Sequence, residues 1–253
     1  VNAPLLEIKK LSKAFGRVIT ASNIDLTIDQ GVLTSIIGPN GAGKSTLINM
    51  LSGSLPVDSG QILFQGTDIT HLPIHHRVKM GLCRSFQVVN IFPDLTVFDN
   101  VQIPVLAVRR RAGRLFRPVA REAGVREEVS QVLDRVGLAA EAQTVAGALS
   151  HGDQRLLEVG IALAVRPRLL FLDEPTAGMN PVERVRVLEN IRGLSAEGKT
   201  TFVIVEHDMD IVFSLSERVI VLHHGEIIGD GTTQEIQDSR KVREVYLGEE
   251  VAV

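Results

Sequence analysis

The stretch GPNGAGKST, Gly38 to Thr46, narrows the folds open to this chain more than any other. It has the spacing G-x-x-x-x-G-K-[ST] on Gly38, Gly43, Lys44 and Ser45. VLTSII (Val32–Ile37) precedes it, apolar and β-branched enough for a buried strand. Leu47, Ile48 and Leu51 follow on one helical face, and Gly53 suits a helix stop. Strand, glycine loop and helix are the setting of a phosphate-binding loop. Glycines let the backbone wrap closely, so its N–H groups converge on phosphate oxygens, and the helix start adds unpaired donors and a positive dipole end. The loop positions Gly38, Pro39, Asn40, Gly41, Ala42, Gly43, Lys44, Ser45 and Thr46 are therefore candidate nucleotide-binding residues. Lys44 is placed to neutralise β- and γ-phosphate charge, and the Ser45 hydroxyl to ligate Mg²⁺.

A length of 253 residues allows one large domain or two small ones. The net charge of −3 does not advertise nucleic acid or anionic lipid as a partner. The single cysteine, Cys83, excludes an internal disulfide, fits a reducing compartment, and reads best as a small buried hydrophobe. No apolar run approaches the roughly 18–20 residues that span a bilayer, and nothing at the start reads as a signal peptide. Any dealings with a membrane are expected to go through a partner.

Leu5–Phe15 and Val18–Ile28 alternate as strands, which suggests an antiparallel flap beside a parallel core. Phe15 sits where that flap could turn an aromatic face to a purine; plain core packing is the level alternative. Gln61–Ile69 reads as a strand and turn, and Gly81–Gln87 as a short strand ending in an amide. His71, His75 and His76 around Pro73 read as a solvated turn and helix start rather than a metal site. From Val88 to Val165 the texture turns helical: Val125, Val129, Val132, Leu133 and Val136 repeat at helical spacing, and Leu156 to Ala164 is more fully apolar. Arginines from Arg109 to Arg126 form a basic run, a solvated face or a docking surface near anionic headgroups. Arg168–Pro175 and Thr200–Asp208 are again buried strands. Between them Asn180-Pro181-Val182-Glu183 opens a helix with an apolar stripe on Val185, Leu188, Ile191 and Leu194. A hairpin turning near Gly225 and a helix from Arg240 to Leu247 close the chain.

In a parallel sheet, ligands bind past the strand ends. Gly38, the pair Asp173–Glu174 and His207 share that address, which argues for one site. Asp173 suits a hold on Mg²⁺ through water. Glu174 is placed to polarise an attacking water as general base, and His207 to steady the γ-phosphate or that water. Ser150 and Asp153 form a capping-box-like start to an apolar helix, whose N–H groups would make a second anion site. If both sites grip one phosphate, two chains face each other head to tail. A capped helix and nothing more is the alternative.

Together these residues resemble the nucleotide-binding subunit of an ABC transporter. The resemblance spans the whole chain, with motifs in family order: an A-loop aromatic (Phe15), Walker A (Gly38–Thr46), the Q-loop (Gln87), the signature LSHGD (Leu149–Asp153), Walker B with its glutamate (Leu169–Glu174) and the H-loop (His207). AGMNP (Ala177–Pro181), the arginine-bearing insert and the tail VREVYLGEE make it most similar to branched-chain amino acid importer ATPases. The resemblance implies an α/β P-loop fold with a mainly parallel sheet, an antiparallel β-subdomain and a helical insert. The core would take 1–86 and 166–253, and the insert 87–165. It implies two ATPase subunits, either two copies of this chain or this chain with a companion ATPase, sandwiching two ATPs, with Ser150, His151, Gly152 and Asp153 of one facing the γ-phosphate held by the other. It implies Gln87 on Mg²⁺, two permease subunits docked near Val88–Phe92, an extracytoplasmic solute-binding protein acting indirectly, and a place on the cytoplasmic membrane face.

The sequence departs from the family pattern at three positions: His151 replaces a glycine, Asp153 a glutamine, and Asn180 the usual aspartate. The expected activity is ATP hydrolysis coupled to uptake of branched-chain amino acids, with Mg-ATP and no nucleic acid. Import of urea or an amide is the nearest rival. A soluble ABC-type ATPase acting on DNA or ribosomes lacks the heptads it would need here, and a non-hydrolysing scaffold would not need Glu174.

Overall fold

A computed structural model describes residues 3–85, 91–109 and 123–247. The chain opens with β1 (Leu6–Phe15), β2 (Val18–Ile28) and β3 (Thr34–Ile37), then α1 (Lys44–Ser52), β4 (Ser59–Phe64), β5 (Thr67–Asp68), α2 (Ile74–Met80) and β6 (Leu82–Arg84). Among the described residues α3 (Val97–Val108), α4 (Ala123–Arg135) and α5 (His151–Ala164) follow. The sheet resumes with β7 (Leu169–Asp173), α6 (Pro181–Ala196), β8 (Thr201–Val205), α7 (Met209–Leu215), β9 (Arg218–His223) and β10 (Glu226–Gly231), and α8 (Thr233–Asp238) and α9 (Arg240–Leu247) end it.

Six strands form one sheet in the order β10-β9-β3-β8-β7-β6, parallel except for β10. Every residue of β3, β7 and β8 is buried, as both faces of a covered parallel sheet require. The flap is an antiparallel sheet of order β2-β1-β4-β5. The alternation expected across Leu5–Phe15 is broken inside β1, where Lys10 adopts φ 47° and the register against β2 shifts. Such bulges add twist and bend the strand.

Helix α1 lies between the two sheets. Leu47, Ile48 and Leu51 are fully buried with Leu6, Ile8, Phe64 and Phe171, each burial contributing about 1.5–3 kcal/mol. The far end of α1 is held by Arg77 of α2. Its buried guanidinium donates to the carbonyls of Met50 and Leu51 at 2.7 Å, Thr70 at 2.9 Å and Leu72 at 2.8 Å. Burial lowers its pKa to about 10, so the group stays charged at neutral pH. A second core gathers Val125, Val129 and Leu133 of α4 and Leu156 and Leu163 of α5 against Leu170 and Leu172 of β7.

The expected stripe of α6 is corrected by the structure. Val187, Ile191 and Leu194 are buried, whereas Val185 is 55 % exposed. The helix turns Val187 inward, and Val185, two residues earlier, falls about 200° round the axis. Among the described residues no helix is long and apolar enough to cross a membrane.

Candidate functional site

The ends of three adjacent parallel strands build the site: β3 leads into Gly38, β7 into Glu174, and β8 into Glu206 and His207. The loop from Gly38 to Gly43 is wedged under neighbouring backbone. A Cβ at Gly38 would stand 2.3 Å from the carbonyl oxygen of Leu222, and one at Gly43, where φ is 105°, 2.2 Å from that of Thr20. Only glycine fits either place. Helix α1 starts with no side-chain cap and no acidic residue in its first turn. By contrast α5 and α6 start on Ser150 and Asn180 caps with Asp153 and Glu183 in the first turn. The positive end of α1 thus has neither a side-chain cap nor a first-turn carboxylate of its own to offset it.

Lys44 donates from Nζ to the carbonyls of Gly38 at 2.6 Å and Pro39 at 3.1 Å. Burial lowers its pKa, and the nearby charges of Glu174 and Asp173 oppose that. The lysine of one motif thus sits in the field of both carboxylates of another. Ser45 is exposed just beyond it.

Asp173 is buried and its Oδ2 accepts from Arg84 Nη2 at 2.7 Å, while the same guanidinium bonds Asn49 of α1. Glu174 follows with φ 44°, a conformation a non-glycine residue enters at a cost of about 1–3 kcal/mol. Its backbone is pinned on both sides. Its N–H donates to Val205 at 2.9 Å, and Arg155 Nη2 donates to its carbonyl at 3.1 Å and to that of Asp173 at 2.5 Å. Arg155 is buried on α5 and pairs with Glu158. His207 is exposed, with Nδ1 3.6 Å from Glu174 Oε1. Behind them Glu206 is buried and accepts from the Thr176 hydroxyl at 2.9 Å and from the His207 N–H at 3.3 Å. Burial pushes its carboxyl pKa up.

The residues Gly38 to Thr46, Asp173, Glu174 and His207 therefore meet at one sheet edge. Phe15 lies at the tip of the β1–β2 hairpin, whose Thr20 touches Gly43. It is 50 % exposed with Lys13 Nζ 5.5 Å from its ring centroid, which sets plain core packing aside. Gln87 and the Val88–Asn90 part of the expected docking segment lie outside the described residues, as does most of the arginine run. Cys83 is buried, and burial raises its pKa to about 11.

Ser150 to Asp153 turn elsewhere in the same chain. Ser150 caps α5, accepting from the Asp153 N–H at 3.1 Å and donating to Asp153 Oδ2 at 2.9 Å. The open anion site expected there is modified by a neighbour: the Gly152 N–H meets Glu183 Oε1 at 3.4 Å, and Asn180 Nδ2 holds the other oxygen of Glu183 at 2.8 Å. The exposed His151 points its Nε2 to the Ala177 carbonyl, 3.3 Å away.

Sequence reasoning did not assign roles to Arg84, Arg155, Thr176 or Glu206. The only signal for the last was an acid directly before His207 at a strand end. Nothing local in the sequence marks the arginines.

The ABC transporter family profile matches residues 21–177, and that of the branched-chain amino acid ATP-binding cassette transporter matches residues 226–252. The chain is 35% identical over 254 residues to the high-affinity branched-chain amino acid transport ATP-binding protein BraF of Pseudomonas aeruginosa, covering 98% of this chain and all of that one. It is also 35% identical over 249 residues to the lipopolysaccharide export system ATP-binding protein LptB of Acidithiobacillus ferridurans, covering 98% and 99%. Among solved structures, the ADP conformation of MJ1267, an ATP-binding cassette of an ABC transporter, superposes with a TM-score of 0.85 at 30% identity over 98% of this chain and all of that one.

Proposed function

Since the chain belongs to the ABC transporter ATP-binding family, and is thereby an ATPase, we propose that it powers the import of branched-chain amino acids through membrane permease partners. The cargo rests on the match of residues 226–252, because overall identity is the same to BraF and to LptB. Residues 1–86 and 166–253 act as the core, and 87–165 as a helical subdomain.

One observation carries the hydrolytic reading: β3, β8 and β7 are neighbours in the sheet, so the loop bearing Lys44 starts beside the strand ends that bear Asp173, Glu174 and His207. The uncapped start of α1 and the amides of Gly38–Thr46 receive the triphosphate. Phe15 stacks on the base. Lys44 leaves its carbonyl partners for the β- and γ-phosphates. Glu174 accepts a proton from the attacking water, and His207 holds the γ-phosphate in line. The hydroxyl of Ser45, the amide of Gln87 and, through water, the carboxylate of Asp173 are hard oxygen donors suited to Mg²⁺, which would supply neutralising charge at the phosphates. Ser150, His151, Gly152 and Asp153 complete the site held by a second ATPase subunit. The pair works at the cytoplasmic membrane face, fed indirectly by an extracytoplasmic solute-binding protein.

Glu174→Gln tests this reading. It keeps the shape and removes the base, so MgATP turnover falls at least about a hundredfold with ATP affinity unchanged. Retained turnover would remove Glu174 as base. The cargo is tested by co-expressing the permease pair and measuring ATP-dependent uptake of labelled leucine against urea. Uptake of urea alone would overturn the cargo.

A further inference from the structure

Asp153 places a carboxylate in the segment that the proposed function turns toward a triphosphate. Its Oδ1 is buried and accepts no hydrogen bond among the described residues. What faces that oxygen is the guanidinium of Arg186, with Nη1 2.7 Å away. Arg186 stands on the second turn of α6, its side chain 54 % exposed against 17 % for Asp153. Its Nη2 donates to the carbonyl of Gly137 at 3.4 Å, just past the end of α4. One side chain from a helix of the sheet core thus reaches the start of α5 and the end of α4 together.

We propose that Arg186 is a positioning residue for the signature segment, neutralising Asp153 so that an aspartate can stand beside the γ-phosphate held by the opposite subunit. The inference rests on the shared-site reading above. In the open chain the pair is half in water and contributes little. When a second subunit closes over it, water leaves and the effective dielectric falls, so an unpaired carboxylate next to phosphate becomes costly. Arg186 therefore acts on ATP bound by the other subunit and not on the P-loop of its own. Glu183 adds a second carboxylate at the Gly152 N–H, but it is tied by Asn180 and has no contact with Arg186 among the hydrogen bonds and ion pairs described.

The test is a double-mutant cycle on the full-length chain, with Arg186→Ala, Asp153→Gln and the pair together. Arg186 is exposed, so its truncation leaves the fold intact. Arg186→Ala is expected to lower kcat for MgATP about tenfold, while the Kd of the single chain for a fluorescent ATP analogue stays within about twofold. In the Asp153→Gln background the same change should alter kcat less than about twofold, because no charge is left to neutralise. Equal losses in both backgrounds, or no loss in the first, would overturn the proposal. ATP-driven dimerisation in the Glu174→Gln background, followed by light scattering, gives a readout without turnover. There Arg186→Ala should raise the ATP concentration for half-dimerisation only while Asp153 is present. A dimer that forms but ignores Arg186 refutes this inference alone; no ATP-driven dimer at any concentration, either of this chain alone or with a companion ATPase subunit, refutes the shared-site reading with it.

Discussion

Lys44 is half-buried, and its ammonium donates to two carbonyls of its own loop. Replacing it with alanine removes the only cation of the Gly38–Thr46 loop and leaves the amides in place. Lys44→Ala should therefore weaken ATP binding at least about tenfold, 1.4 kcal/mol, without loss of fold. Equilibrium titration with a fluorescent ATP analogue checks this, and an unchanged affinity would count against the loop as the phosphate site. This residue was legible because its partners are neighbours in the chain: six and five residues separate it from Gly38 and Pro39. Arg84 was not legible. Its partner Asp173 lies 89 residues away, and only strand pairing of β6 with β7 brings the two together. Glu206 and Thr176, 30 residues apart, are hidden for the same reason.

Among the elements, α1 is the one the site depends on most, and it is held at both ends. Its start is wedged by Thr20 and Leu222; its end is held by Arg77. Apolar periodicity or a cap gave α1, α4, α5 and α6. It did not give α3, which carries Pro104 in its interior, nor α7 and α8, which have only seven and six residues. Short helices are stabilised by packing rather than by their own pattern. Arg77 follows directly on the histidines that read as a solvated helix start, yet it is among the most deeply buried side chains. Arg77→Met keeps the aliphatic bulk and strands four carbonyls, so a loss of about 3 kcal/mol is expected. In thermal denaturation that corresponds to a midpoint lower by roughly 6–12 °C for a chain of this size. A midpoint within about 2 °C of the parent would mean water satisfies those carbonyls as well as the arginine does.

At the scale of the molecule, the proposed site joins the P-loop of one chain to the signature segment of another. Ser150 to Asp153 make their contacts with the turn after β7 and with α6, through Ala177, Glu183 and Arg186. In the proposed shared site the segment comes from a second subunit, and a two-fold pair of identical chains exchanges it twice. Complementation separates this arrangement from a self-sufficient chain. Ser150→Arg puts a long cation where the second subunit's phosphate must approach, so that chain binds ATP but should not hydrolyse it. Lys44→Ala disables the P-loop and leaves the signature segment intact. Mixed, the two inactive chains form some pairs in which the P-loop of the Ser150→Arg chain meets the signature of the Lys44→Ala chain. Random pairing makes about half the dimers mixed with one intact site of two, so turnover should recover to at most about a quarter of the parent rate. Recovery should also depend on total protein concentration, as an association does. A Ser150→Arg chain that hydrolyses ATP normally by itself would place the whole reaction within one subunit.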